Sequence, residues 1–128
     1  MKRLCIAVGL AVFSGNAAAE WALVSRNMEF LAYADRVTSK RTGSIVRMWI
    51  LHDQITPQVI EDRVYLSSEM QNEYDCKEKQ WRQIYVLRYS GRMGAGRTFP
   101  FHTSSAQWRS VLPGTAIEAE WSFACKKR

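Results

Sequence analysis

The chain has 128 residues, 47% hydrophobic, with 18 basic and 12 acidic side chains and a net charge of +6. That length suits one domain with its own core, and no second long apolar run exists, so no membrane-spanning helix is expected in the mature chain. Three cysteines and two histidines are too few, and too scattered, for a zinc or redox centre; no C-x-x-C is present.

Lys2 and Arg3 open the chain, an apolar run follows from Leu4 to Phe13, and Ser14–Gly15–Asn16 then breaks it before Ala17, Ala18 and Ala19. A positive start, a short apolar core and an A-x-A site are the order of a secretory signal, which predicts cleavage between Ala19 and Glu20. The run is shorter than the roughly 20 residues that span a bilayer. The expected layout is a signal peptide over 1–19 and one domain over 20–128, soluble and outside the cytoplasm. Removal of the signal leaves 16 basic against 12 acidic residues, a net of +4. Such an excess favours acidic partners such as sulfated glycans or acidic protein faces. It also removes Cys5, leaving Cys76 and Cys125, which in an exported chain read as a disulfide. Glu20, not a cysteine, stands directly after the cleavage site, so lipidation is not expected.

The mature chain alternates mostly with period two, the signature of strands. Trp21–Ser25 is a first strand and Glu29–Ala34 a second, edge-like one. Thr42–Gly43–Ser44 turns the chain into Ile45–Asp53, apolar on both faces and therefore central. Ile55–Gln58 reads as a loop, because Pro57 cannot sit in a central strand. Val64–Cys76 is a long strand that turns Leu66, Met70, Tyr74 and Cys76 to the core. Gln80–Tyr89 follows, and strict alternation puts Trp81, Tyr85, Leu87 and Tyr89 on one side and Arg82, Ile84, Val86 and Arg88 on the other. Ser90–Gly96 is a glycine-rich turn, not a phosphate loop, because Thr98–His102 after it reads as a strand; Pro100 makes that strand an edge. After the Pro113–Gly114 break, Thr115 and Glu118 form a capping box, and Ile117, Trp121, Ala124 and Cys125 share one helical face. A strand cysteine can meet a helix cysteine only if the helix lies on the sheet. The expected fold is α+β, an antiparallel sheet of five to six strands with a C-terminal helix packed on it and tied by Cys76–Cys125.

An ordered set of short segments resembles the surface-adhesin protein E family of Gram-negative bacteria. It runs from Trp21 through Tyr33–Ala34–Asp35 and Gly43 with Val46, Trp49, Leu51 and Asp53 to Tyr65–Leu66–Ser67 and Tyr74–Asp75–Cys76. It continues with Tyr89–Ser90–Gly91, Met93–Gly94–Ala95–Gly96, Trp108, Val111–Leu112–Pro113–Gly114–Thr115, Trp121 and Cys125. The resemblance implies the same architecture and attachment to host extracellular-matrix or plasma proteins such as laminin and vitronectin. The missing lipidation cysteine departs from a lipid-anchored relative and keeps a second expectation, an accessory protein of the periplasm without adhesive role.

Candidate ligand-binding residues are Arg82, Arg88, Arg92 and Arg97, interleaved with Trp81, Tyr85 and Tyr89. Basic and aromatic side chains together suit single-stranded nucleic acid, sulfated glycans or an acidic protein loop, and export removes nucleic acid. An ordinary solvated charged face is the competing explanation. Catalysis is not expected: His52 and Asp53 are strand neighbours on opposite faces, and no nucleophile elbow accompanies His102. No cofactor or metal is expected. A homodimer through the Pro100 edge is compatible with the pattern.

Overall fold

The computed structural model describes residues 20–101 and 107–126. Eight strands form one antiparallel sheet: β1 (Trp21–Arg26), β2 (Phe30–Asp35), β3 (Lys40–Thr42), β4 (Ile45–Ile60), β5 (Arg63–Asp75), β6 (Gln80–Tyr89), β7 (Thr98–Phe101) and β8 (Arg109–Ser110). The main order is β1-β2-β4-β5-β6-β7, with β3 beside β4 and β8 beside β6. The expected five to six strands are those of the main path. β3 and β8, three and two residues long, are too short to show a period. The helix α1 (Ala116–Cys125) closes one face.

The core lies between α1 and that face. Val46, Met48 and Ile50 of β4 meet Met70 and Tyr74 of β5, Ala34 of β2, Val86 of β6 and Ala124 of the helix. Burying the valine, isoleucine and methionine side chains among them stabilises by about 1.5–3 kcal/mol each. β2 is not an edge. It lies between β1 and β4, and its small Ala32 and Ala34 are fully buried. The expected two-sided burial of β4 is present, since Leu51, on the opposite face, is also fully buried.

Ile55–Gln58 is not a loop; β4 continues to Ile60. Proline is tolerated there because β2 pairing stops at Phe30↔Gln54, and the β4–β5 register is interrupted between Asp53 and Gln58. Pro57 therefore has no ladder bond to lose. Beyond it, β4 and β5 run on as a two-stranded arm, turned by Glu61 and Asp62 at φ 48° and 62°. Two residues at positive φ make a type I′ turn, which favours Asn-Gly. Glu61→Asn with Asp62→Gly should stabilise the protein by about 0.5–1 kcal/mol, read as a higher urea midpoint at unchanged slope.

Cys76, one residue past the end of β5, is bonded to Cys125, with Cα atoms 5.5 Å apart. The Trp121 indole N–H donates to the Asp75 carbonyl (2.9 Å), beside the bridge. At the other end of the helix, Thr115 Oγ1 accepts from the Glu118 N–H, while Glu118 accepts from the Gly114 N–H, one residue earlier than a reciprocal box requires.

Candidate functional site

Three places in the fold gather polar side chains. The first lies under the helix. His52 Nε2 is 2.9 Å from Glu120 Oε2, and the Tyr74 hydroxyl donates to Glu120 Oε1 at 2.9 Å. Asn72 Nδ2 donates to the Tyr74 oxygen (3.0 Å), and the His52 ring stacks on Phe30 with centroids 3.9 Å apart. Glu120 and Tyr74 are fully buried. Burial, reinforced by the Glu120 charge, pushes the Tyr74 phenol well above its usual 10, so it stays a neutral donor. Both Glu120 oxygens are engaged within the protein, and Asp53 points to the other face, where it accepts from the Met93 N–H. The cluster holds helix to sheet and presents no accessible nucleophile.

Sequence reading missed Glu120. Its signal is a lone carboxylate inside the Ile117–Trp121–Ala124 stripe, three residues after Ile117. A buried-stripe acid requires partners across the sheet, and His52 and Tyr74 supply them.

The second place is the uncovered face of the sheet. Here Glu73 accepts from Arg82 Nε (2.8 Å) on one oxygen and from Arg47 (3.0 Å) on the other. Burial pushes the Glu73 carboxyl up, but the two guanidiniums outweigh it and hold it below 4.5. Arg82 also stacks over Trp108 at 4.5 Å. Trp49 and Tyr85 meet edge-to-face nearby.

The alternation expected for β6 fails in its middle. Gln71 pairs with Tyr85 and the adjacent Asn72 with Gln83, so Ile84 is an extra residue on β6. This bulge turns Trp81 to the helix side, against the core, and leaves Tyr85, Leu87 and Tyr89 on the open side. Arg82 and Arg88 therefore lie on opposite faces. Arg88 pairs with Ser68 on the helix side and lies over the Tyr65 ring at 5.1 Å.

Burial, then the hydrogen bond to Glu69, raises the Tyr89 hydroxyl to about 12. Both raised tyrosines favour the neutral form in the folded state. Their contribution is fully present below the unfolded value of 10 and is lost as pH rises through the folded values. The urea midpoint should fall between neutral pH and about pH 11, and less steeply in Tyr89→Phe.

The third place is the distal end, beyond the helix. Ser90–Arg97 joins β6 to β7 and folds back on the open face. The Ser67 hydroxyl donates to the Gly91 carbonyl (2.6 Å) and accepts from the Gly94 N–H (2.9 Å). Arg92 donates to the Gln54 and Ile55 carbonyls. Arg97 is fixed by its backbone: its N–H donates to Ser90 Oγ and its carbonyl accepts from the Ser90 N–H, both at 2.8 Å. Gly96, at φ +86°, is required here, because a Cβ would collide with Ser90 Oγ. Between this loop and the arm lies an open groove of about 810 Å³, lined by Arg63, Val64, Ser90, Gly96, Arg97, Thr98 and Phe99.

The structure thus divides the four expected arginines. Arg82 is on the open face, Arg88 on the helix side, and Arg92 and Arg97 at the distal end, joined there by Arg63. His102 lies outside the described residues. Among the described residues no cluster of three metal-ligating side chains forms, and no helix is long and apolar enough to cross a membrane.

The model of the surface-adhesin protein E family matches residues 21–126. The chain belongs to that family. A surface-adhesin E chain is a surface or exported protein, and this one carries the sheet, helix and disulfide expected from the resemblance. Its fold is similar to Haemophilus influenzae protein E, at a TM-score of 0.65 and 15% identity, covering 82% of this chain and 83% of that one. A second crystal form of the same protein matches at 0.63 and 13%, covering 85% and 96%. At such identity the likeness is one of fold. No curated protein matches the chain.

Proposed function

We propose that the chain is exported by removal of residues 1–19 and acts as an adhesin-like binding protein for host extracellular-matrix or plasma proteins of the laminin and vitronectin type, without catalysis. Family membership supports the class of function. The observation that carries the choice of surface is the distal end. Arg63 and Arg97 line the groove there, Arg92 of the same loop donates to the Gln54 and Ile55 carbonyls, and among the described residues no ion pair engages the three. Arg82, by contrast, is spent on Glu73. Exposed Ile55, Val59, Val64 and Met93 surround the same end and add apolar contact area.

An adhesin must be reached from outside the cell. Protease added to whole cells should degrade the protein, with a periplasmic marker left intact. Protection until the outer membrane is opened would instead support the accessory periplasmic reading.

A further inference from the structure

The groove at the distal end has a particular construction. The β5–β6 ladder ends at Ser67↔Tyr89, but β5 extends four residues further, to Arg63. The gap that β6 leaves is bounded on one side by Arg63 and Val64 and on the other by Ser90, Gly96, Arg97 and Thr98. Arg63 is seated over the Phe99 ring at 5.2 Å, and Arg97 is anchored by two backbone bonds to Ser90. Arg63 thus reaches from the arm to a ring that itself lines the groove, and the Arg97 backbone is held where its side chain joins the same lining. Hydroxyls of Ser90 and Thr98 add donors, and among the described residues no carboxylate lines the groove. Glu61 and Asp62 sit at the arm's tip, outside it.

We propose that this groove binds the sulfate groups of a sulfated glycan chain. The assignment rests on the adhesin reading and names what the distal end recognises. A guanidinium presents a planar fork of donors suited to oxyanions, and two such side chains lining one groove suit a ligand that carries more than one. A sulfated glycan supplies closely repeated oxyanions along a flexible chain. The open lining matches that charge, with two arginines and, among the described residues, no carboxylate.

The test uses the protein as the cell processes it, titrated with a size-fractionated heparin oligosaccharide. Binding should saturate and weaken with added salt. Arg63→Gln with Arg97→Gln should weaken it at least about tenfold. Lys40→Gln with Arg41→Gln removes the same charge at the opposite end of β4 and should change it less than about twofold. The desulfated oligosaccharide, and polyglutamate as an acidic peptide, should each bind at least about tenfold more weakly. Equal losses in the two double variants, undiminished binding of the desulfated chain, or tighter binding of polyglutamate would overturn the proposal. Arg63→Lys with Arg97→Lys keeps the charge and loses the fork; it should bind less tightly than the wild type, and unchanged affinity would count against the groove. If the protein binds immobilised laminin but not heparin, the sulfate assignment fails and the adhesin reading stands. If it binds neither, both fail.

Discussion

Replacing Cys76 and Cys125 together by serine should lower the free energy of unfolding by about 4 kcal/mol. The bridge closes a loop of 49 positions, and restoring that loop's freedom to the unfolded chain accounts for a loss of this size in the chain-entropy model. The location adds a structural consequence. α1 is ten residues long, too short to be stable alone, and its C-terminal end is held by the bridge and by the Trp121–Asp75 bond. Without the bridge, helix and core should still form, because Glu120, Ala124 and the Thr115 cap remain. The predicted signature is a large drop in the denaturant midpoint, with faster amide exchange concentrated in Trp121–Cys125. A loss below about 1 kcal/mol would show that the helix docks without its staple.

Glu120→Ala should cost about 3–5 kcal/mol. The side chain is fully buried and serves two partners, so its loss leaves the Tyr74 hydroxyl and the His52 imidazole without acceptors and opens a void under the helix. Tyr74→Phe is a milder probe, about 1–3 kcal/mol, because it removes the donor but keeps the ring. In a double-mutant cycle, Glu120→Ala with Tyr74→Phe should cost clearly less than the sum of the two, since both remove the same bond. Additive costs would mean that the cluster does not act as a unit. The exposed Lys79–Glu118 pair, by comparison, is screened by solvent and adds little.

The contrast between these features shows what could be read from the amino-acid order. Cys76 and Cys125 were legible because cysteine parity in an exported chain and the helical spacing of Trp121, Ala124 and Cys125 point the same way. The long strands were legible from period two, and the helix start from Thr115 and Glu118. Three features were not. Pro57 argued for a loop, and only the ending of β2 at Phe30 shows why β4 can pass through it. The bulge at Ile84 reverses every side chain before it relative to those after, and nothing in a run of Gln80–Tyr89 marks which residue is extra. Glu120 contradicts its apolar stripe unless its partners, 46 and 68 positions away, are known.

The same limits governed the candidate site. Strict alternation put Arg82 and Arg88 on one face, so the series read as one basic surface. The bulge separates them, and tertiary contact adds Arg63, more than twenty positions before Arg88, to Arg92 and Arg97. Arginine type and aromatic interleaving were visible in the sequence; their grouping depends on the overhang of β5 beyond β6.

The central claim, that the distal arginine end is an adhesive surface, is tested most directly by binding of the cell-processed protein to immobilised laminin and vitronectin. The account predicts saturable, salt-sensitive binding to at least one of them. Arg63→Gln, Arg92→Gln and Arg97→Gln together should reduce it at least about tenfold, with Arg82→Gln close to wild type. Binding that persists in the triple variant and disappears in Arg82→Gln, or no binding by the wild type, would contradict it.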